Sequence, residues 1–149
     1  MSKTGFALES FLPYMLNQAS EASSLAFQNV YKGRYGMLRT EWRVLFHLGL
    51  YGSMTASEIG ERANLHKTKI SRAVHRLAER RFVARVRDGA DRRVEHLSLT
   101  SKGVKAYKDL RQTAEQYEAQ LLAAFSPQET TVLRRALVKL AATRPDSFT

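Results

Sequence analysis

Residues 55–80, TASEIGERANLHKTKISRAVHRLAER, contain two short amphipathic segments separated by a turn. Thr55 is followed three residues later by Glu58, the spacing of a capping box, and this predicts a helix over 56–63. Residues 64–66 (Asn-Leu-His) predict a turn, and the apolar spacing that follows predicts a second helix over 67–80. Two short helices joined by a turn of three or four residues are typical of a helix-turn-helix.

The second helix, which we call the recognition helix, separates its apolar side chains from its polar ones. Its apolar stripe spans about 100° of the helical wheel and must face the core; it consists of Ile70, Ala73, Val74 and Leu77. The outer arc carries hydroxyls, an arginine and a histidine, namely Thr68, Ser71, Arg72 and His75. Lys69, Arg76 and Arg80 form a basic row along one border.

The next segment predicts a β-hairpin, which we call the wing. Residues 82–87 and 94–99 are rich in β-forming residues, and the connection Asp88-Gly89-Ala90-Asp91 is rich in turn formers, with Gly89 free to adopt a positive φ. Three arginines lie at or beside the tip, Arg87, Arg92 and Arg93, and Asp91 is placed to pair with one of them. An ordinary exposed turn would explain this cluster by itself, but its position after a helix-turn-helix favours a functional role.

Helices are also predicted on the N-terminal side of this region. Apolar residues at steps of three or four predict a helix over 8–30, and Gly33 and Gly36 interrupt the pattern. Thr40 is a candidate N-cap for a further helix over 41–51.

On the C-terminal side, Thr100 or Ser101 is expected to cap a long helix that ends near Phe125, with Val104 among its inward side chains. Residues 126–129 (Ser-Pro-Gln-Glu) then predict the start of a last helix, and residues 143–149 are expected to fray.

These elements predict a mainly α fold with a small β-hairpin (α+β). We expect one unit over 1–149, in which a winged helix-turn-helix lobe (40–100) is flanked by helical arms at 8–38 and 101–142. The arms have apolar stripes but little nearby to cover them. Pairing with a second copy would bury them, and we favour this homodimer over the alternative that the arms pack on their own lobe.

The charge is concentrated in the middle of the chain. The net charge is +10, and residues 61–96 contain eleven basic and five acidic residues. Such an excess indicates a polyanionic partner, with nucleic acid favoured over an acidic membrane surface. A solvated basic face without a partner is the alternative.

Composition excludes several classes of function. The 149 residues contain no Cys, which excludes disulfides, thiolate metal sites and thiol redox sensing. The four His lack ligand spacing, so we expect no metal, and we find neither a catalytic constellation nor a cofactor motif and therefore expect no enzyme. No apolar run reaches the length of a membrane span and no secretory signal is evident, so we expect a cytoplasmic, nucleoid-associated protein without a membrane partner.

Double-stranded DNA is the partner that these residue types suit best. Hydroxyls and an arginine on the outer arc can approach base edges, where arginine binds guanine through two hydrogen bonds. Flanking lysines and arginines can reach phosphates, and the wing arginines can enter the minor groove. The candidate recognition-helix residues are Thr68, Lys69, Ser71, Arg72, His75 and Arg76, and the candidate wing residues are Arg87, Asp91, Arg92 and Arg93.

The pattern resembles the MarR family of bacterial transcriptional regulators from Leu8 to Ala142. The resemblance is carried by residues 40–45 (TEWRVL), 55–59 (TASEI), 69–74 (KISRAV) and above all 88–103, where Asp-Arg-Arg in the wing is followed by Leu-Thr-Ser-Lys-Gly. Many members have Gly after the recognition helix, where this chain has Arg81.

The resemblance implies a homodimer that binds palindromic operators, as a repressor or less often an activator. It also implies major-groove contacts from the recognition helix, a wing contact from Arg93 with Asp91 as its partner, and release by a small effector, often an aromatic acid or another anionic lipophile. No effector motif can be carried over to individual residues. A non-specific architectural nucleic-acid-binding protein remains the alternative.

Overall fold

The computed structural model describes residues 5–143 and contains helices with one small antiparallel sheet. In chain order the elements are a 3₁₀ helix (Leu8–Ser10), α1 (Leu12–Tyr35), α2 (Arg39–Tyr51), β1 (Met54–Thr55), α3 (Ala56–Ala63), α4 (Lys67–Glu79), β2 (Val83–Arg87), β3 (Glu95–Leu99), α5 (Ser101–Leu122) and α6 (Pro127–Ala141). The predicted fold class is confirmed. Except for Thr143, the tail predicted to fray lies outside the described residues.

The chain divides into two compact units, the first ending at Ala114 and the second beginning at Glu115. The first contains the helix-turn-helix (α3 and α4), the sheet and a single apolar core. Side chains from every helix of this unit from α1 to α5 and from the sheet contribute to the core, among them Tyr31, Leu45, Ile59, Ile70, Leu77, Phe82, Leu97 and Leu110.

The second unit contains the end of α5 and all of α6. Ser126 caps α6 as predicted, with its Oγ accepting the Glu129 N–H at 3.1 Å while Oε1 of Glu129 accepts the Ser126 N–H at 2.9 Å. The apolar face of α6 is exposed, as shown by Val132, Leu133, Leu137 and Val138. This unit therefore leaves an apolar surface open to solvent.

The N-terminal helix is displaced toward the C-terminus relative to the prediction of 8–30. Residues 8–10 form only a 3₁₀ turn, and α1 begins at Leu12 because Pro13 is tolerated only in the first helical turn. Gly33 lies within α1, whereas Gly36 ends it in a left-handed conformation, at φ 63°. The side chains of Leu8, Leu12 and Met15 remain exposed.

The predicted Thr40 N-cap of α2 is wrong, because α2 begins two residues before the predicted start, at Arg39, with Leu38 at the N-cap. Leu38 has no side-chain acceptor. Instead, Oε1 of Glu41 accepts the Leu38 N–H at 3.2 Å, so Glu41 closes the helix end from within the first turn.

The sheet has three strands rather than the two of the predicted hairpin. β1 pairs with β3 through Met54–Leu97 and Thr55–His96, which gives the order β1-β3-β2. In the hairpin, Val83 pairs with Leu99 and Arg87 with Glu95. Gly89 is not among the glycines with positive φ, so the wing turn does not use that conformation.

The start of α5 explains why Val104 is more exposed than predicted. Of the two candidate N-caps of α5, Thr100 is the one that caps the helix, because its Oγ1 accepts the Gly103 N–H at 3.0 Å. A Cβ at Gly103 would overlap the carbonyl oxygen of Phe82, so α5 packs against the chain on its Gly103 side. Val104, the next residue, lies beside this packed side and stays exposed. The helix also ends at Leu122, before the predicted Phe125.

The end of α1 is joined to the middle of α5 by a polar cluster around Asp109. Arg34 Nη1 donates to Oδ1 of Asp109 at 3.0 Å, and the Tyr35 hydroxyl donates to Oδ2 at 2.6 Å. The hydrogen bond from Tyr35 lowers the pKa of Asp109, with a further contribution from Arg34. Burial and the neighbouring Asp109 raise the pKa of Tyr35 to about 12, so the phenol stays protonated and donates.

Candidate nucleic-acid interface

The two ends of α4 are fixed by local hydrogen bonds. At its start, Nδ1 of His66 accepts the Thr68 N–H at 3.3 Å, and Asn64 supplies the left-handed turn between α3 and α4. At its end, the Phe82 N–H donates to Leu77 and the Arg81 N–H to Ala78, the paired hydrogen bonds of a Schellman motif.

Arg81 occupies the position where this motif usually has glycine. Its φ is 66°, in the left-handed region that L residues other than glycine enter at a cost. The Arg81 carbonyl accepts the Thr100 hydroxyl at 2.6 Å, and the preceding Arg80 carbonyl accepts Lys102 Nζ at 2.9 Å. α4 therefore ends in the usual Schellman geometry, and the side chains of Thr100 and Lys102 satisfy the carbonyls that follow the helix.

The predicted division of α4 into a buried and an exposed face is confirmed. Ile70, Ala73, Val74 and Leu77 are buried. The six candidate contact residues are all exposed: Thr68, Lys69, Ser71, Arg72, His75 and Arg76. A face of cations and hydroxyls is thus presented to solvent by a helix whose opposite face is fixed in the core.

These six side chains differ in how firmly they are held. Within the described part of the chain, Lys69 and Arg72 make no hydrogen bond or ion pair. His75 lies 3.5 Å from Glu79, one turn further along α4. Arg76 is held much more firmly, because its Nε lies 3.0 Å from Oε2 of Glu41, a carboxylate that is 2% exposed.

Arg80 does not belong to the basic row in which the sequence placed it. Its Nη1 donates to the Gly36 carbonyl at 3.0 Å, and its Nη2 donates to the Tyr35 carbonyl. Arg80 thus satisfies the terminal carbonyls of α1 and also lies over the ring of Phe82. Its role is to join α1 to the end of the recognition helix.

The wing tip is built from two consecutive side-chain turns. Oδ1 of Asp88 accepts the Ala90 N–H at 2.8 Å, and Oδ1 of Asp91 accepts the Arg93 N–H at 3.0 Å. The Asp88 pKa is lowered by the hydrogen bond from Ala90 and by His96, whose Nε2 lies 3.3 Å from Oδ2. Two aspartates, rather than a glycine conformation, therefore shape the turn.

The predicted pairing of Asp91 with a wing arginine is present. Arg93 Nε lies 3.2 Å from Oδ1 of Asp91, yet the Arg93 side chain is 92% exposed. Arg87 Nη1 donates to the Arg92 carbonyl at 2.7 Å, and this hydrogen bond joins the end of β2 to the opposite side of the wing turn. Arg92 and Arg93 therefore project from a turn whose backbone is fixed.

One charged residue near these candidates was not singled out from the sequence. Arg85 lies on β2 and lines a cleft of about 410 Å³ together with Ser71, Arg72, His75 and Arg76. Its Nε and Nη2 contact Oε1 of Glu95 on β3, at 3.0 and 2.9 Å. The alternation of Arg85 with Arg87 along one strand was the available signal, since alternate residues share a face of a sheet.

The structure thus brings four candidates of α4 together in one cleft with Arg85, and it gathers the four wing candidates, Arg87, Asp91, Arg92 and Arg93, around the hairpin tip.

Over residues 5–143, no group of three or more His, Asp or Glu is placed to hold a metal ion. Over the same range, no helix combines the length and hydropathy of a membrane span.

Comparison with known proteins finds a matching family model and a relative of the helix-turn-helix type. The MarR family model matches residues 35–94, from the end of α1 into the wing. The helix-turn-helix-type transcriptional regulator YwoH of Bacillus subtilis is 32% identical over 95 residues, which cover 64% of this chain and 69% of YwoH.

Solved structures extend the likeness over most of the chain. A MarR/EmrR family transcriptional regulator from Acinetobacter sp. ADP1 is 25% identical and has a TM-score of 0.81, with 91% of this chain and 96% of that chain covered. BpsR of Bordetella bronchiseptica, at 19% identity, shares the fold with a TM-score of 0.85 over 93% of this chain and 99% of its own.

YwoH and the Acinetobacter protein are transcriptional regulators rather than enzymes, as the sequence predicted. With its exposed basic recognition helix, its wing and its match to YwoH, the chain belongs to the MarR family of DNA-binding transcriptional regulators.

Proposed function

We propose that the chain is a homodimeric repressor that binds a palindromic operator and is released by a small anionic effector of aromatic or acyl type. The observation that carries the proposal is the exposed face of α4, which places Ser71, Arg72 and His75 opposite a stripe fixed in the core. Side chains presented in this way can reach base edges in the major groove, and base contacts are what give sequence specificity.

The exposed apolar side chains support the homodimer. The N-terminal segment exposes Phe6, Leu8, Phe11 and Leu12, and α6 exposes Val132, Leu133, Leu137 and Val138. Monomeric proteins seldom leave such clusters open to water. In this proposal the exposed apolar side chains of the arms over 8–38 and 101–142 pair with a second copy, while the lobe over 40–100 binds DNA.

Two-fold symmetry then accounts for the palindrome. A dimer of this kind presents two recognition helices to half-sites about one helical turn of DNA apart. Each protomer contributes to the major groove Thr68, Lys69, Ser71, Arg72, His75 and Arg76. It contributes to the minor groove Arg87, Arg92 and Arg93, of which Asp91 orients Arg93. Such a regulator acts where its operator lies, at the nucleoid.

The effector class is supported by a structural neighbour. The DNA binding of BpsR, which shares this fold, is regulated by 6-hydroxynicotinic acid, a small aromatic acid. The absence of Cys from this chain excludes release through a reactive thiol. A bound small anion is therefore the trigger we propose.

The test is binding to the DNA upstream of the chain's own gene and to a scrambled duplex of the same composition, at physiological salt. Sequence-specific regulators prefer their site by about a thousandfold or more. We expect such a ratio, a dimer by analytical ultracentrifugation, and a loss of binding when aromatic acids are added. A ratio near one would overturn the proposal and indicate an architectural protein.

A further inference from the structure

We infer that the cleft between α4 and β2 binds one phosphodiester group of the DNA backbone, with Arg85 as a ligand that Glu95 positions. The inference deepens the proposed function and rests on it. The cleft has a volume of about 410 Å³, and Ser71, Arg72, His75, Arg76 and Arg85 line it. Every one of these side chains can donate a hydrogen bond, and three of them are guanidinium groups.

The carboxylates beside the cleft orient the guanidinium groups without using all their donors. Glu41 contacts Nε of Arg76, and in residues 5–143 the two Nη atoms of Arg76 have no protein partner. Glu95 contacts Nε and Nη2 of Arg85, which leaves Nη1 without one in the same range. Arg72, which no carboxylate orients, is left for base contact in the proposed function, so the oriented donors of the cleft are those of Arg76 and Arg85. A phosphate has several acceptor oxygens and suits such a set of fixed, planar donors.

The position of the cleft identifies the source of the phosphate. The recognition helix on one side is proposed to enter the major groove, and the wing on the other side is proposed to meet the adjacent minor groove. A sugar–phosphate backbone separates any two adjacent grooves of a duplex. The β2 side of the cleft, where Arg85 lies, therefore faces that backbone, while its α4 side can still face base edges.

Arg85→Gln in the full chain tests the inference, with Lys108→Gln on α5 as a control that removes the same charge from an exposed site outside the cleft. Affinity is measured against salt concentration on the specific and the scrambled duplex. We expect Arg85→Gln to weaken binding to both duplexes about tenfold, to leave their ratio unchanged and to reduce the salt slope by about one. We expect Lys108→Gln to change neither quantity. Equal effects of the two variants would overturn the inference.

Two further variants separate charge from position. Arg85→Lys keeps the charge but lacks the planar guanidinium group. Compared with Arg85→Gln, it should recover the salt slope of the unmodified protein but only part of its affinity. Glu95→Gln keeps Arg85 but removes the carboxylate that holds it, and should weaken binding a few-fold with an unchanged slope. Tighter binding by Glu95→Gln would overturn the positioning role. Urea unfolding of each variant checks that the fold is retained.

The source of the phosphate is tested with duplexes in which single phosphates are replaced by neutral methylphosphonates. One position in each half-site should weaken binding of the unmodified protein and have no effect on Arg85→Gln. If every position affects the two proteins equally, the inference is overturned. Titration of inorganic phosphate without DNA should show no stoichiometric binding; such binding, if lost in Arg85→Gln, would assign the cleft to free anions instead.

Failure of the inference is distinguishable from failure of the proposed function. A specificity ratio near one for the unmodified protein overturns the proposed function, and the salt slopes on scrambled DNA still report on Arg85. A high ratio with no effect of Arg85→Gln overturns only the inference.

Discussion

Nε of Arg76 lies 3.0 Å from Oε2 of Glu41, and this ion pair joins the recognition helix to the first turn of α2. The two partners differ in exposure, since the Glu41 side chain is 2% exposed and that of Arg76 is 50% exposed. Glu41 also accepts the Leu38 N–H through its other oxygen. A residue that the sequence assigned to DNA contact therefore also neutralises a buried carboxylate.

Arg76→Ala should destabilise the protein by about 3 kcal/mol, because it leaves the buried Glu41 carboxylate without its counter-charge. Urea unfolding measures the change. Arg72→Ala, on the same exposed face but without a partner in the described chain, is the matched control and should cost about 0.5 kcal/mol or less. In the double variant Glu41→Gln/Arg76→Ala, the loss should be smaller than the sum of the two single losses. Strict additivity would contradict the coupling.

Arg72→Ala and Lys69→Ala should have different effects on DNA binding. Arg72 lies on the outer arc, where its guanidinium can donate two hydrogen bonds to a base. Its loss should therefore lower the ratio of specific to scrambled affinity by about ten- to a hundredfold. Lys69 lies at the border and should affect specific and scrambled duplexes equally, with a smaller salt slope. Binding isotherms on both duplexes decide this. Equal losses on both duplexes for both variants would contradict the assigned roles.

Arg93→Ala should weaken operator binding by about tenfold without destabilising the dimer, because the side chain is 92% exposed. Asp91→Asn keeps an acceptor for the Arg93 N–H but loses the charge that orients the guanidinium, so it should weaken binding less than Arg93→Ala does. Asp91→Ala also loses the turn and should fall between the two. Unchanged affinity of Arg93→Ala would remove the wing contact from the proposed function.

Local signals in the sequence predicted most of the helix-turn-helix correctly. The capping box of Thr55 and Glu58 is present, with hydrogen bonds of 2.9 and 3.2 Å, and it depends only on residues within one helical turn. The same holds for Ser126 and Glu129. The buried stripe of α4 was also predictable, because its period alone fixes which face meets the core.

Features that depend on distant residues were missed. β1 is two residues long and exists only because it pairs with β3, more than forty residues further along the chain. Arg80 reaches carbonyls at Tyr35 and Gly36, so its exclusion from the basic row depends on tertiary packing. The cleft around Arg85 likewise requires the spatial meeting of α4 with β2, which no local pattern encodes.

Arg81→Gly should stabilise the protein by about 0.5–1 kcal/mol. Arg81 holds a φ of 66°, and glycine removes the steric cost of that conformation, although it also gains entropy in the unfolded chain. Arg81→Ala keeps the strain and removes the side chain, so it separates the two contributions. Thermal and urea unfolding give the comparison. A loss of stability in Arg81→Gly that Arg81→Ala shares would mean that side-chain contacts outweigh the strain.

Tyr35→Phe should destabilise the protein by about 1 kcal/mol at pH 7, since it removes the hydrogen bond to the Asp109 carboxylate at 2.6 Å. The folded-state pKa of Asp109 lies below the ordinary value of 3.8, mainly because of this bond. The stabilisation is therefore fully present above that value and is lost as the pH falls through the folded-state pKa. Unfolding curves of the two proteins should differ at neutral pH and converge in acid, and the Asp109 pKa measured by NMR should rise in Tyr35→Phe. A difference that is constant from pH 7 to pH 2 would show that Tyr35 acts through packing rather than through the Asp109 charge.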